Sequence, residues 1–117
     1  MAKMNRSIND SAINVITTEA KALMALANNL PKDFEKVIKL ILGIKGHVII
    51  SGVGKSGHIG RKISATLAST GTPSHFVHAT EASHGDLGAL TFKDVCLLIS
   101  NSGETTELAD LISHTQR

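Results

Sequence analysis

The chain has 117 residues, of which 42% are hydrophobic, and its twelve basic and ten acidic residues give a formal net charge of +2. That length accommodates one domain, and the apolar fraction is too high for a disordered protein. The balanced charge and the lack of Trp and Tyr argue against a nucleic-acid partner, and no run approaches the about 20 apolar residues of a membrane span.

Two helices are predicted at the start of the chain. Apolar residues with a period near 3.6 predict an amphipathic helix over residues 7–30, which ends before Pro31. A second helix is expected over residues 33–43, where a glycine closes it. We therefore treat residues 1–43 as an N-terminal helical segment.

From residue 44 onward, strands alternate with helices. Strands are predicted at residues 48–51, 74–78 and 95–99, and helices at 57–70 and from Thr105 onward. Continuous apolar strands that alternate with helices are typical of an α/β fold, in which helices cover both faces of a parallel sheet. Right-handed crossovers place the first and third strands close together, with their C-terminal ends at the edge where such proteins bind ligands.

Two features predict a cytoplasmic protein. The first ten residues are polar and lack the apolar centre of a signal peptide. The single cysteine, Cys96, allows no disulfide within the chain, and its apolar strand pattern predicts a buried, unreactive thiol.

The loop after the first strand, residues 51–57 and called the glycine loop below, has the spacing of an anion site. Its glycines match the dinucleotide fingerprint G-x-G-x-x-G, follow a strand and open a helix: Gly52, Gly54 and Gly57. Backbone N–H groups and the helix dipole converge at such a turn, where Lys55 adds a cation and Ser56 a hydroxyl. The alternative is that the glycines only permit a tight turn between strand and helix.

Two nucleotide-binding patterns are disfavoured at the glycine loop. A dinucleotide site needs an acidic residue about 20 residues further on to hold the ribose, whereas the second strand ends in Phe76-Val77-His78. A P-loop needs its first glycine where this chain has Ile49. A dinucleotide-dependent oxidoreductase is therefore the weakest of the functions considered.

The loop after the third strand, residues 100–105 and called the serine loop below, carries hydroxyl side chains suited to a phosphate: Ser100, Ser102 and Thr105. Hydroxyl groups and helix N-terminal amides both donate hydrogen bonds to phosphate oxygens. The alternative is an ordinary helix cap with Ser102 at the helix start. Glu107 lies just inside the predicted helix, so its carboxylate is a candidate general acid or base at the same edge.

Three histidines flank the second strand and the loop that follows it: His75, His78 and His84. Imidazoles this close in sequence are candidate metal ligands. His75 and His78 have opposite parity in a strand and would face different ways. Hydrogen bonding to a substrate is therefore favoured over a structural zinc site.

Five sequence blocks after the helical segment resemble one known family. In order, they are GVGKSGHIGRK at 52–62, ASTGTPS at 68–74, FVH at 76–78, EASHGDLG at 81–88 and ISNSGE at 99–104. They resemble sugar isomerase (SIS) domains, and within them the arabinose 5-phosphate isomerases that supply the Kdo sugar of bacterial lipopolysaccharide and capsule. The resemblance implies a three-layer, flavodoxin-like α/β sheet preceded by two helices.

The resemblance also implies a reaction, the interconversion of D-ribulose 5-phosphate and D-arabinose 5-phosphate without an organic cofactor. A proton moves between adjacent carbons through an enediol, which needs an acid–base group, stabilisation of the enediolate and a grip on the phosphate. By this resemblance Lys55 and Glu107 are catalytic, and His78 also binds inhibitory zinc. The loops and the resemblance together assign substrate contacts to Ser51, Gly54, Ser56, Gly71, Thr72, His78, His84, Ser100, Ser102 and Thr105.

The sequence departs from the family beyond the start of its third α/β helix. Family members carry two further strands, a second catalytic glutamate, a catalytic histidine and, in most cases, CBS domains, which this sequence lacks. We therefore expect residues 44–117 to form the N-terminal part of an SIS domain with an incomplete sheet, in a fragment, a split gene product or a degenerate one.

The expected partners follow from that incompleteness. A sugar phosphate is the expected ligand, and either another copy of the chain or a complementing second half-chain is the expected protein partner, with neither nucleic acid nor membrane. Little isomerase activity is expected of the chain alone. The alternative function is a non-catalytic SIS module that binds a phosphosugar or only dimerises.

Overall fold

The computed structural model describes residues 7–80 and 90–116. Contacts divide the chain into two compact units, residues 1–36 and residues 37–117. The first unit contains a long helix, and the second contains the sheet and the loops that form the candidate site. The two units are considered separately below.

The first helix, α1, spans Ile8–Asn28, close to the predicted bounds. The Ser7 side chain caps it, because its Oγ accepts a hydrogen bond from the Asp10 backbone N–H at 3.0 Å. The helix ends before Pro31, and no residue of α1 is buried. The second helix, α2, spans Phe34–Gly43 and crosses the boundary between the two units.

The second unit is built around a three-stranded parallel sheet in the order β2-β1-β3. The strands are β1 at Val48–Gly52, β2 at Ser74–Phe76 and β3 at Val95–Ile99. All five residues of β1 are buried, as expected for the central strand of a parallel sheet covered on both faces. The predicted α/β fold, with the first and third strands adjacent, is confirmed.

Helix α3, Lys55–Ser69, covers one face of the sheet. A Cβ atom on Gly60 would lie 3.0 Å from Ile50 Cγ2 and 3.2 Å from the Phe76 ring. A Cβ atom on Gly57 would lie 2.8 Å from the Gly52 carbonyl oxygen. These two glycines therefore let α3 pack against β1 and β2 at a distance that a larger residue would prevent.

The opposite face is covered by the segment after the serine loop. A 3₁₀ turn at Thr106–Leu108 leads into α4, Ala109–Thr115. Leu108 and Leu111 are buried with Ala79 in a small apolar cluster, against which partly buried side chains pack: Val53, Val77, Leu90 and Leu98. Helical layers therefore lie on both faces of the sheet.

Asp94 holds the starts of β1 and β3 together. Its side chain is 6% exposed and accepts hydrogen bonds from the His47 backbone N–H at 2.7 Å and from the Thr91 backbone N–H at 2.9 Å. Burial raises the pKa of this carboxyl, but the hydrogen bonds outweigh burial, so the pKa of Asp94 lies below its ordinary value. These contacts fix the edge of the sheet opposite the predicted ligand site.

Several element boundaries differ by one or two residues from the sequence prediction, and three of these differences bear on the candidate site. Helix α3 begins at Lys55 rather than at Gly57, and β2 ends at Phe76 rather than at His78. The last helical segment begins with a 3₁₀ turn in place of an α-helical turn. Because β2 pairs only with residues 48–50 of β1, His78 lies beyond the strand, and the argument from strand parity does not apply to it.

Cys96 is half-buried, less than the sequence pattern predicts. This partial burial, together with the nearby charge of Asp94, raises the pKa of its thiol and keeps it protonated near neutral pH. Within the described ranges, no helix has the length and apolarity needed to cross a membrane. The division into a helical segment over 1–43 and a sheet domain over 44–117 remains a prediction.

Candidate functional site

The two loops singled out from the sequence leave the same edge of the sheet. β1 runs into the glycine loop and β3 runs into the serine loop. The two strands are parallel and directly paired, with Gly52 opposite Ile99 at their C-terminal ends. The loops are therefore neighbours at the edge where α/β proteins bind ligands.

The glycine loop presents the start of α3 to this edge. Gly54 precedes the helix with φ 61° and ψ −129°, a conformation that glycine adopts far more readily than other residues, and no side chain caps the helix there. A Cβ atom on Gly54 would meet no other atom within 4 Å, so conformation rather than space requires glycine. Lys55 is exposed as the first residue of α3, and Ser56 beside it is half-buried. The uncapped helix start and the lysine together favour an anion.

The serine loop brings its hydroxyl groups together. Ser100 Oγ lies 2.7 Å from Thr105 Oγ1 and 3.5 Å from Ser102 Oγ. Backbone N–H groups donate to the same side chains, from Gly103 to Ser100 Oγ at 3.0 Å and from Glu104 to Ser102 Oγ at 3.1 Å. The loop is therefore a compact cluster of oxygens held in place by its own backbone.

An ordinary helix cap at Ser102 does not account for the serine loop. The residue that precedes the helical segment is Thr105, and no side chain caps that segment. The Thr105 hydroxyl is hydrogen-bonded to Ser100 instead. The helical segment after the loop is short, so the hydroxyl cluster carries more of any anion binding here than the helix dipole does.

Lys55 and Glu107 approach the edge from adjacent strands. Glu107 lies in the 3₁₀ turn after the serine loop, is exposed, and accepts a hydrogen bond from the Thr106 hydroxyl at 3.3 Å. Lys55 lies at the start of α3, after the glycine loop. The fold thus presents a cation and a carboxylate at the same edge, each carried by a segment that begins where its strand ends.

A small cavity of about 180 Å³ adjoins the glycine loop on the β2 side, and its lining residues are Gly52, Gly54, Gly57, His58, Arg61, Phe76 and His78. The Arg61 guanidinium lies over the Phe76 ring, with its carbon 4.2 Å from the ring centroid. The titratable side chains among these residues are cations or imidazoles, and none is a carboxylate.

His58 and Arg61 are absent from the residues that the sequence assigns to the site. Their spacing offered a signal, because Lys55, His58 and Arg61 recur every three residues and residues three apart lie on one side of a helix. The Arg61–Phe76 contact joins a helix to a neighbouring strand, and the sequence pattern alone does not reveal it.

His78 lines the same cavity, and its Nδ1 accepts a hydrogen bond from the Thr80 backbone N–H at 3.3 Å. Among the residues that the structure describes, no three His, Cys, Asp or Glu side chains come together to hold a metal ion. The inhibitory zinc expected at His78 therefore remains a prediction. His84 lies outside the described residues.

Two residues predicted to contact substrate lie away from both loops, and a third, Ser51 at the start of the glycine loop, is buried. Gly71, with φ 99°, and Thr72 precede β2. In a parallel sheet the start of β2 lies at the edge opposite the glycine loop, and the pairing of Val48 with Ser74 places them there. The Ser51 side chain is fully buried, and its hydroxyl has no hydrogen-bond partner among the described residues.

Comparison with known proteins identifies the family. The SIS domain model matches residues 41–117. Arabinose 5-phosphate isomerase KpsF of Escherichia coli O6:H1 (strain CFT073) is 53% identical over 103 residues, which make up 87% of this chain and 32% of that protein. Arabinose 5-phosphate isomerase KdsD of Pseudomonas aeruginosa is 51% identical over 107 residues, or 92% of this chain and 33% of that protein.

Solved structures agree with the sequence comparison. E. coli CFT073 c3406, solved in complex with arabinose 5-phosphate, superposes with a TM-score of 0.82 at 46% identity, covering 95% of this chain and 61% of that one. A Bacteroides fragilis protein involved in capsule formation superposes with a TM-score of 0.84 at 40% identity, covering 94% of this chain and 58% of that one. The chain spans about a third of the length of the curated relatives, and it belongs to the SIS domain family.

Proposed function

We propose that this chain binds a pentose 5-phosphate at the C-terminal edge of its sheet, with the phosphate on the serine loop. The observation that carries the proposal is that the hydroxyls of Ser102 and Thr105 both lie within hydrogen-bonding distance of the Ser100 hydroxyl, at 3.5 Å and 2.7 Å. Relatives described as arabinose 5-phosphate isomerases, and the E. coli structure in complex with arabinose 5-phosphate, support D-arabinose 5-phosphate or D-ribulose 5-phosphate as the ligand.

Hydrogen bonding within the serine loop suits it to a phosphate. Ser100 and Ser102 accept hydrogen bonds from backbone N–H groups, which leaves hydroxyl protons that can rotate toward a ligand. Phosphate oxygens are strong acceptors, and hydrogen bonds to a charged group are roughly twice as strong as neutral ones. A phosphate would therefore replace the hydroxyl–hydroxyl contact between Ser100 and Thr105 with charge-assisted bonds.

We further propose that Lys55 and Glu107 serve the sugar carbons. Aldose–ketose isomerisation moves a proton between adjacent carbons, and negative charge develops on the oxygens of the enediolate. A lysine ammonium at the uncapped start of α3 would stabilise that charge. A carboxylate at Glu107 would accept and return the proton. The proposal fits the placement of these residues on segments that follow adjacent strands.

The remaining assigned contacts divide by position. Gly54, Ser56 and His78 lie in or beside the glycine loop, and we propose them as contacts to the sugar hydroxyls, together with His84. Ser51 would first have to leave its buried position. Gly71 and Thr72 lie at the opposite edge of the sheet, before β2, and their contact with the substrate remains a prediction.

Catalysis by the 117-residue chain alone is expected to be weak or absent. The resemblance to the family implies a further glutamate and a histidine beyond the matched sequence, and acid–base groups contribute about 10² to 10⁴-fold each. Near-normal turnover of D-arabinose 5-phosphate by the purified chain would contradict this expectation. Binding without turnover would favour the alternative function, a non-catalytic SIS module.

The proposed function as a pentose-phosphate isomerase also includes a role in Kdo supply in the cytoplasm.

Calorimetric titration of D-arabinose 5-phosphate into Ser102→Ala tests the phosphate site. We expect a loss of about 1–2 kcal/mol in binding free energy, because a bond to a charged phosphate disappears. Ser69→Ala is the matched control, since Ser69 is exposed at the end of α3 and its hydroxyl donates to the Thr66 carbonyl at 3.0 Å. Equal affinity in both variants would refute the assignment of the phosphate to the serine loop.

Kinetics in a longer relative test the role of Lys55. Replacing the matching lysine of E. coli KpsF by alanine should lower kcat by a larger factor than it raises KM, because the charge is needed mainly in the transition state. If that change instead abolishes binding while the serine-loop change leaves affinity intact, the lysine holds the phosphate and the two roles are reversed.

A further inference from the structure

Two histidines lie side by side near the edge of the sheet opposite the two loops. His47 immediately precedes β1, and His75 is the middle residue of β2. His75 pairs with Ile49, two residues after His47, so the alternation of side chains along a strand places both imidazoles on one face of the sheet. The two rings are stacked, with their centroids 4.6 Å apart and their planes inclined by 24°. The fold therefore brings together two nitrogen ligands that are far apart in the sequence.

Backbone hydrogen bonds hold this pair in place. The His47 N–H donates to the Asp94 carboxylate at 2.7 Å, and the His47 carbonyl accepts from the Val95 N–H at 3.1 Å. His75 lies within the paired region of β1 and β2. The His47 side chain is 45% exposed and His75 is also exposed. The two imidazoles are therefore carried by rigid backbone and remain accessible to ions from solvent.

A buried carboxylate orients the first of these rings. Asp94 Oδ1 lies 3.8 Å from His47 Nδ1, and the Asp94 side chain is only 6% exposed. The negative charge of this carboxylate favours a proton on Nδ1, which leaves the lone pair of His47 on Nε2. Histidines that bind metals are commonly held in this way, by a carboxylate at the ring nitrogen that does not contact the ion.

The nitrogen ligands determine which class of ion fits. Imidazole suits Zn²⁺, Ni²⁺ and Cu²⁺, whereas Mg²⁺ and Ca²⁺ are bound by oxygen ligands. Among the described residues, no third His, Cys, Asp or Glu side chain completes a metal-binding group, so water would fill the other positions. Two nitrogens bound to one Zn²⁺ at about 2.0–2.1 Å lie roughly 3–3.5 Å apart. A small rotation of the exposed His75 ring would bring the two ring edges to that separation.

We propose that His47 and His75 bind one divalent ion of the Zn²⁺, Ni²⁺ and Cu²⁺ class, with Asp94 as the orienting carboxylate. The ion would join the start of β1 to β2 and stabilise the folded chain, because the unfolded chain does not hold the two imidazoles together. The site is distinct from the zinc predicted at His78, which follows the C-terminal end of β2. It does not depend on the proposed sugar-phosphate site at the other edge of the sheet.

Ring stacking alone is the competing explanation for the pair. His75→Phe separates the two explanations, because it removes a nitrogen ligand and keeps an aromatic ring beside His47. His58→Gln is the matched control. His58 is exposed on α3, and α3 packs against the face of the sheet that carries Ile50, opposite the face of the two imidazoles.

Metal titration of the chain, purified without a histidine tag, tests the proposal. In calorimetry with ZnCl₂, His75→Phe should lower the affinity by at least about tenfold, whereas His58→Gln should leave it unchanged. CuCl₂ should bind more tightly than ZnCl₂, and MgCl₂ should give no binding. In NMR spectra of the imidazole nitrogens, Zn²⁺ should shift the His47 and His75 signals together.

Urea unfolding gives a second measurement that does not rely on catalysis. Zn²⁺ at 100 times its dissociation constant should raise the folding equilibrium constant of the wild-type chain by about 100-fold. At the same Zn²⁺ concentration, a tenfold weaker site in His75→Phe should raise it by only about tenfold. Both histidines have exposed side chains, so we expect the variant to fold.

Coupled shifts of the two imidazoles, with affinity lost in His75→Phe and kept in His58→Gln, would support the site. Equal Zn²⁺ affinity in His75→Phe and the wild-type chain would overturn it and leave ring stacking as the role of the pair. Shifts confined to other histidines, such as His78, would also overturn it, as would Mg²⁺ binding as tight as that of Zn²⁺.

Discussion

Two buried serines on neighbouring strands are expected to respond to the same mutation with opposite signs. Ser51 on β1 is 0% exposed, and its hydroxyl has no hydrogen-bond partner in the part of the chain that the structure describes. Ser74 on β2 is 8% exposed and donates to the Val48 carbonyl at 2.8 Å. Because that bond uses its proton, Ser74 accepts a second bond from Ser64 at 2.8 Å. Alanine should therefore stabilise the protein at Ser51 and destabilise it at Ser74.

The magnitudes follow from what each alanine removes. An unsatisfied buried hydroxyl costs about 1–3 kcal/mol. Removing its oxygen leaves a space of roughly 10–15 Å³, which at about 24 cal/mol per Å³ costs about 0.3 kcal/mol. Ser51→Ala should therefore raise the free energy of unfolding by about 1 kcal/mol. Ser74→Ala breaks two bonds and leaves the Ser64 hydroxyl without this partner, so it should lower the same quantity by about 1–3 kcal/mol.

Urea unfolding followed by far-UV circular dichroism measures both variants at one protein concentration. With a slope of about 1–2 kcal/mol/M, the midpoint should rise by about 0.5–1 M for Ser51→Ala and fall for Ser74→Ala. Destabilisation by Ser51→Ala would refute the reasoning, because it would mean that the hydroxyl has a partner. Titration of D-arabinose 5-phosphate into Ser51→Ala then shows whether a residue assigned to substrate contact weakens binding while stability rises.

Three further predictions concern stability and the glycine-loop cavity. Asp94→Asn should lower the free energy of unfolding by about 1–3 kcal/mol at pH 7. Because the pKa of Asp94 is depressed in the folded protein, the stability difference between wild type and variant should be complete above about pH 4 and should disappear as the pH falls through the folded pKa. Urea unfolding with the same pH dependence for both proteins would contradict this. Gly57→Ala should lower the free energy of unfolding by about 1–2 kcal/mol, because its Cβ would meet the Gly52 carbonyl oxygen at 2.8 Å. As a control, Gly43→Ala should leave that free energy unchanged or raise it slightly in the same assay, because the space around Gly43 is open. Arg61→Gln should weaken binding of D-arabinose 5-phosphate by about three- to tenfold in calorimetry with little change in stability, and unchanged affinity would remove Arg61 from the site.

The sheet could be predicted because its signal is local. The apolar runs of β1 and β3 are continuous, and each is followed by a loop and a helical pattern. Burial on both faces needs such runs, and parallel pairing needs the intervening helices. The length of β2 could not be predicted in this way. Its pairing depends on how far Pro73 and Phe76 follow the path of β1, which is a tertiary property.

Local sequence patterns predict the two loops of the candidate site but not the contacts between distant parts of the chain. The glycine and serine loops follow directly from strand–loop–helix patterns. The stacking of Arg61 on Phe76 joins side chains brought together only by the packing of α3. For Gly71 and Thr72, the family resemblance predicts contact with the substrate. The order of elements in a parallel sheet, however, places them at the edge opposite the two loops.

The glycine fingerprint of this chain predicts the backbone of the turn correctly but does not identify the ligand. Gly52 and Gly57 meet backbone to backbone, and Gly54 adopts a positive φ. These constraints arise wherever a helix starts tightly after a central parallel strand, whatever ligand is bound. They therefore do not distinguish a dinucleotide from a sugar phosphate. The end of β2 does, because Phe76-Val77-His78 lacks the acidic residue that would hold the ribose of a dinucleotide. Functional inference on this fold is therefore strongest where the ligand requires a particular side chain and not only a backbone geometry.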